Sequence, residues 1–252
     1  MNIAVLLKQV PDTTAKITIS NGKVDENNVS KWSMSPYDEY ALESGLQLKE
    51  ATGGSLIAIT CGPDRTRKML TDAAAVGADI LIHIPEDKVL DSTQVQKILA
   101  TVIEKNGAEV VLCGKQAADT NSGSTGPGIA EIINAVCVTM VSDVSVNDNN
   151  FISVRPSNSG TEKVSSNGIS VFTFDKGISE LRRPNVRGIM MAKKKVIETI
   201  KPEELGLEIE YSEHITLQSQ NSPPEKEPGQ MFEGVEDIPE IVSKLRNEAN
   251  VI

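Results

Sequence analysis

Four short apolar runs, each followed by a helix-like segment, most constrain what this chain can fold into. Ile3 to Lys8, Leu56 to Thr60, Ile80 to Ile84 and Val110 to Leu112 are short, apolar and rich in branched side chains, as buried strands are. After them come helical patterns from Ser35-Pro36 to about Lys49, from about Arg65 to Ala75, from Ser92 to Lys105, and from about Pro127. Strand and helix alternating four times, with right-handed crossovers, predict an α/β fold with a doubly wound, mostly parallel sheet. In the first helix Ser35 is expected to cap, Pro36 suits the first position, and Asp38 and Glu39 complement the dipole.

Two departures from the repeat are predicted. Lys16 to Val24 alternates around Asn21-Gly22, a strong hairpin signal. Beyond Val136, β-rich runs at 138–146, 151–155 and 169–174 are separated by polar turns and are expected as antiparallel strands added to the sheet. Pro202 to Leu205 reads as a helical turn stopped by Gly206, closing a nucleotide-binding domain at 1–206. The remainder, 207–252, is polar and proline-bearing to about Phe232. It then ends in a helix from about Ile238 to Glu248 with Ile238, Ile241, Val242 and Leu245 on one face. Such an arm points to a partner subunit.

The stretch 109–132 holds the main candidate site. Its strand runs into a loop of small polar residues and then a helix start, at the sheet edge where open α/β folds bind ligands. Gly123, Gly126 and Gly128 would let the backbone approach a ligand, and Ser122, Ser124 and Thr125 offer hydroxyls beside free N–H groups, as a phosphate would need. A glycine-rich turn with a Ser/Thr cap fits the same spacing, and neither a P-loop nor a GxGxxG motif is present. A second unusual stretch, 178–195, carries six basic residues; it suits a carboxylate-rich partner or an anion, or equally a solvated helix end.

Other chemistry is thinly represented. The net charge of -10 argues against nucleic acid as a partner. Cys61, Cys113 and Cys137 lack CxxC spacing, no segment resembles a signal peptide, and no run is long enough to cross a bilayer, so a cytoplasmic protein without membrane insertion is expected. His83 lies in a strand and His214 in the arm, which supports neither a catalytic triad nor a metal site, and the carboxylates are expected on helix surfaces. Redox chemistry here would need a cofactor.

Several separated motifs together resemble a known family. Lys8-Gln9-Val10-Pro11-Asp12, Met34-Ser35-Pro36-Tyr37-Asp38, Cys61-Gly62-Pro63, Gly114-Lys115-Gln116-Ala117-Ala118-Asp119, Thr125-Gly126 and Ile189-Met190 with Ala192 to Lys195 stand in the order and spacing of electron-transfer flavoprotein beta subunits. The resemblance implies an adenine-nucleotide alpha-hydrolase-like sheet, an alpha subunit that carries a redox FAD, and exchange of electrons with flavoprotein dehydrogenases. It assigns no catalytic residue and no metal ligand. It places an adenine nucleotide at Leu6, at Ser35, Pro36, Tyr37 and Asp38, at Cys61, and along the loop. That loop set comprises Leu112, Cys113, Gly114, Lys115, Gln116 and Ala117, then Asp119, Thr120, Asn121, Ser122, Gly123, Ser124 and Thr125. Docking of the dehydrogenase falls on about Ser179 to Met190, with Arg182, Arg183, Arg187 and Met190 around Val186 as the anchoring apolar residue.

Conventional members hold AMP at that site. Members of the electron-bifurcating branch, a mode of anaerobic metabolism, hold a second FAD that takes a hydride from NADH and divides the pair between ferredoxin and a dehydrogenase. Lys8 to Thr13, Gly126-Pro127 with Ile129-Ala130-Glu131, and Val186-Arg187-Gly188 are more similar to the bifurcating branch, whereas Ser35, Asn121 and Ser124 depart from the family pattern. A free-standing adenine-nucleotide-binding module of similar fold is the reading from another class, and it predicts a stable monomer.

Overall fold

β1 (Asn2–Leu6) alternates between two apolar layers: Ile3 and Val5 face one, Ala4 and Leu6 the other, and all four are buried. The computed structural model describes residues 1–88, 90–207, 218–226 and 228–252; His214 lies outside them. β2 (Gln9–Pro11) opens an antiparallel excursion, β3 (Ile19–Ser20) and β4 (Lys23–Val24) form the expected hairpin, and β5 (Trp32–Met34) returns to pair with β2. The hairpin turns on Asn21 and Gly22, with φ of 51° and 71°, the left-handed pair that such a turn requires.

α1 (Pro36–Thr52) begins on its proline and stops at Gly53, whose φ is 66°. β6 (Ser55–Gly62), α2 (Arg67–Val76), β7 (Ile80–Pro85), α3 (Ser92–Lys105), β8 (Val110–Gly114) and α4 (Thr125–Ile132) complete the four strand-helix pairs. α3 starts on a capping box between Asp91 and Gln94. α4 starts two residues ahead of the expected Pro127, which falls in its first turn, where the N–H that proline lacks has no intrahelical partner anyway.

β9 (Val136–Val141) follows α4. β10 (Asp143–Asn147), β11 (Asn150–Ser157) and β12 (Gly160–Ser166) then form their own antiparallel sheet, and β13 (Ser170–Phe174) rejoins the main one. After β13 come α5 (Val186–Ala192), the two-residue β14 (Glu198–Thr199), a 3-10 turn at Pro202–Leu205 ended by Gly206, and α6 (Ile238–Asn247). The central sheet has seven parallel strands in the order β14-β7-β6-β1-β8-β13-β9. The expectation that the runs at 138–146 and 169–174 add antiparallel strands is therefore corrected: β9 and β13 are parallel, and beyond Val136 the antiparallel pairing is confined to 143–166, in a sheet of its own. Burial explains the division. Every residue of β13 is buried, as in a strand covered on both faces, whereas β12 is mostly exposed or half-buried.

Chain order reverses at β1. The strands first step from β1 to β6 and β7, then cross to β8 on the opposite side, so the crevice between the C-terminal ends of β1 and β8 is the topological switch point. α1 and α2 cover one face of the sheet, α3 and α4 the other. Among the described residues no helix is long and apolar enough to cross a membrane. α6 buries none of its residues, and Ile238, Val242 and Leu245 are exposed. Among the described residues of 207–252, Leu207 packs on the α3/α4 layer, and Gln220 N–H donates to Gly22 O at 2.7 Å while its side-chain oxygen accepts from Val24 N–H at 2.8 Å.

Candidate functional site

The switch point is held together by Asp38. Its carboxylate accepts Lys8 N–H at 2.8 Å through Oδ2 and Gly114 N–H at 2.8 Å through Oδ1, tying the chain just past β1 to the last residue of β8. The side chain expected to face solvent at a helix start is instead buried between two strand ends. Burial pushes its pKa from the ordinary 3.8 up to about 7, against the two N–H bonds and the Lys8 charge, which act in the opposite direction. Ser35 is a second correction. It makes no side-chain cap bond, and its Oγ is buried without a partner, while its N–H donates to Lys8 O at 2.9 Å and its C=O accepts from Asp38 N–H. The Ser35 carbonyl, which accepts from Asp38 and Glu39 N–H, closes the first turn of α1 in place of a side-chain cap.

A cleft of about 250 Å³ opens on the α3/α4 side of this junction. Leu6, Lys8, Asp38, Cys61, Cys113, Gly114, Lys115, Gln116 and Ala117 line one part of it; Thr120, Ser122, Gly123 and Thr125 close it from the loop. The expected site residues Ser35, Pro36, Tyr37, Leu112, Asp119, Asn121 and Ser124 do not line it. Strand alternation accounts for Leu112, whose side chain joins the α1 layer while Val111 and Cys113 face the α3 layer. Three others support the wall: Asp119 pairs with Lys8 Nζ at 2.8 Å, Asn121 Oδ1 accepts from Gln116 Nε2 at 2.8 Å, and the Tyr37 ring lies 4.9 Å under Lys115 Nζ, which pairs with Asp175 at 3.0 Å.

The opposite wall escaped sequence reasoning. Ile59 from β6 and Leu90, Ser92, Val95 and Leu99 around α3 make it apolar. Its only local signal was the Asp91-to-Gln94 capping box, which places a helix start but not its neighbour.

Glycine roles also divide. Gly123 takes a φ of 66° in the loop, as a close backbone approach requires. Gly126 and Gly128 serve packing instead: a Cβ on Gly126 would collide with Thr173, and one on Gly128 with Gln96, so these two glycines seat α4 on the sheet and on α3. The N-terminus of α4 reaches the cleft through Thr125. Its cap residue Ser124 makes no side-chain bond to the first turn, and Ser124 Oγ is buried without a partner. Pro127 has no N–H and Gly128 N–H donates to Ser124 O at 2.9 Å, so Thr125, which lines the cleft, opens α4 there without a side-chain cap.

Neither cysteine of the cleft is held as a thiolate. Burial pushes the Cys61 thiol up to about 12 and the Cys113 thiol well above its ordinary value, so both stay protonated near neutral pH. His83 is a bonded core residue, its Nε2 2.9 Å from Gly62 O and its Nδ1 3.4 Å from Arg67 Nη1. Among the described residues no acidic, histidine or cysteine cluster could hold a metal ion.

The basic stretch forms a strap over α1 that leads into α5. Val186 is 76% and Met190 61% exposed, and Arg183 and Arg187 are also exposed, so four of the five expected docking residues are open to solvent. Arg182 does not join them: it turns inward to the carboxylates of Glu43 and Glu50. Glu43, buried on α1, is a further exception to the expectation of surface carboxylates.

Residues 23–205 match the model of the electron transfer flavoprotein domain. Over the whole of both chains, this one is 34% identical to the electron transfer flavoprotein subunit beta of Bacillus subtilis (strain 168). It is 32% identical to the human electron transfer flavoprotein subunit beta, with 98% of this chain and 97% of the human one covered. It is 31% identical, over all of both, to a mitochondrial electron transfer flavoprotein subunit beta of Oryza sativa subsp. indica.

Proposed function

The chain belongs to the electron transfer flavoprotein beta-subunit family, and on that premise we propose that it pairs with an alpha subunit and binds the adenosine and phosphate end of an FAD in the switch-point cleft. The observation that carries this reading is the uncapped start of α4 beside an apolar slot. Thr120, Ser122 and Thr125 line the cleft from the loop and offer three hydroxyl donors, a set that suits phosphate oxygens, so the residues present fit the group. Leu90, Val95 and Leu99 would cover a base, Gln116 its edge, and the start of α4 at Thr125 the phosphate. Lys8 and Lys115, held by Asp119 and Asp175, would supply compensating positive charge.

A cleft of about 250 Å³ is at the small end of ligand sites, so the flavin ring would lie outside it, toward the partner. A flavin there would supply hydride acceptance from NADH and delivery of single electrons, the division between ferredoxin and a flavoprotein dehydrogenase that defines bifurcation. The chain's own contribution would be to anchor the nucleotide end and to offer α5 as the docking surface for the dehydrogenase. The same cleft volume favours one second reading, in which AMP fills it alone and the subunit is scaffold in a conventional electron shuttle.

Nucleotide content decides between them. The co-expressed heterodimer is expected to release two FAD and no AMP, measured by absorbance and by chromatography of the acid extract. One FAD with one AMP would select the shuttle, and neither nucleotide in this subunit would remove both readings.

The 207–252 segment is proposed to bind the alpha subunit, because α6 leaves its apolar face uncovered. Truncation after Leu207 is expected to preserve nucleotide retention while lowering recovery of the alpha subunit about tenfold or more in co-purification, because the apolar face of α6 would no longer be there to bury against it. Unchanged recovery would refute it.

A further inference from the structure

Between β13 and α5, residues 176–184 cross α1 above a groove of about 820 Å³ whose floor includes Leu42, Leu46 and Val76. A segment bridging a groove rests on few packed side chains, so its position depends on its polar anchors. The largest anchor is Arg182. Its Nε and Nη2 each donate to Glu43 at 2.9 Å, its Nη1 donates to Glu50 at 2.6 Å, and its own backbone N–H donates to Glu43 Oε2 at 3.1 Å. Ser179 Oγ adds a bond to Gln47 at 3.2 Å, and Gln47 in turn donates to Glu43 at 3.0 Å.

Glu43, Gln47 and Glu50 recur along one stripe of α1. The Glu43 carboxylate is buried and engaged in two parallel bonds, unlike an exposed ion pair. Burial pushes Glu43 up, but the hydrogen bonds and charge of Arg182 outweigh it and leave the carboxyl below its ordinary value, so the pair stays ionised near neutral pH. Beyond the strap, a Cβ on Gly188 would collide with Ala75 O, so α5 rests backbone-close on α2, and Lys195 Nζ donates to Ala78 O.

We infer that Arg182 is a positioning residue rather than a partner contact: with Glu43 and Glu50 it pins residues 178–185 to α1 and thereby sets the pose in which α5 presents Val186, Arg187 and Met190. This rests on the docking reading given above. It also ties that surface to the nucleotide cleft, because Asp38 lies one turn and a half before Glu43 on the same rigid helix.

Amide hydrogen exchange of the purified, nucleotide-bearing heterodimer tests the pin without requiring a dehydrogenase. Arg182→Gln is expected to speed exchange of residues 178–187 about tenfold or more, with nucleotide content unchanged and exchange in β1 and β8 unaltered. Arg182→Lys, which keeps the charge but reaches one carboxylate, is expected to restore part of the protection, and Glu50→Gln to cost about twofold because that carboxylate is exposed. If Arg182→Gln fails to assemble, the Lys and Gln replacements at 182 and 50 carry the test. Exchange at wild-type rates in Arg182→Gln or, where that variant does not assemble, in Arg182→Lys, would overturn the pin. Val186→Ala addresses docking alone: it should leave exchange unchanged and weaken electron exchange with dehydrogenase, so loss of the docking reading would not be mistaken for loss of the pin.

Discussion

Replacing Gly114 by alanine is expected to cost the fold about 2 to 4 kcal/mol and to empty the cleft proposed to hold a nucleotide. A Cβ at this position would stand 2.6 Å from Asp38 Oδ1, 2.7 Å from Tyr37 Cβ and 3.1 Å from the Asp38 nitrogen. None of these is the free end of a flexible side chain. The α1 N-terminus would have to lift from β8, and the bond from Gly114 N–H to Asp38 would stretch or break, leaving a buried carboxylate with one partner fewer. Because the same residues line the cleft, stability and nucleotide retention should fall together. Urea unfolding of the complex and its nucleotide content after gel filtration check both. Gly229→Ala is the control, since a Cβ there meets nothing within 4 Å. A Gly114→Ala complex with parental midpoint and full nucleotide would show that the junction yields without cost.

The second large effect is a pH dependence centred on Asp38. Its pKa is raised from 3.8 to about 7 by burial, so between those values the folded chain keeps a proton that the unfolded chain has already lost. Stability from this group is therefore greatest below about pH 4, declines as pH rises toward 7, and is level above. The gap between 3.8 and about 7, at 1.36 kcal/mol per pH unit, corresponds to about 4 kcal/mol, of which about 3 kcal/mol falls between pH 5 and pH 8.

Asp38→Asn should remove this slope. It should also impose a steady cost of about 1 to 3 kcal/mol, because the amide sets its own N–H₂ against one of the two backbone donors. The measurement is the free energy of urea unfolding at pH 5 and pH 8 for parent and variant. Parallel pH profiles would show that Asp38 is ionised throughout and that the two N–H bonds overcome its burial.

Much of this molecule was legible before any coordinates. Four strand-helix pairs, the hairpin at Asn21-Gly22, the 3-10 turn stopped by Gly206 and the helix at 238–247 all follow from local periodicity and turn chemistry, and each stands within a few residues of where the pattern puts it. The loop of 115–125 could be placed at a sheet edge for the same reason: a strand that ends in small polar residues before a helix start has few other geometries. Matched motifs supplied the family, but spacing alone did not distinguish Gly123, which shapes the loop, from Gly126 and Gly128, which seat a helix.

What the sequence determined by itself is the set of elements and their order, because strand and helix periods, caps and tight turns are settled by residues a few positions apart. Tertiary structure alone decided which strands are neighbours, which face of a strand meets the cleft, and which charged groups are buried. β13 slips between β8 and β9 as a parallel strand, Leu112 turns away from the cleft, Asp38 bonds Gly114 across 76 positions, and Arg182 reaches Glu43 across 139. Asp38 and Glu43 occupy a helix pattern that is equally compatible with solvent. Only the strand ends and the strap brought against them give those carboxylates their partners, and with them the geometry of the cleft and of the strap that leads into α5.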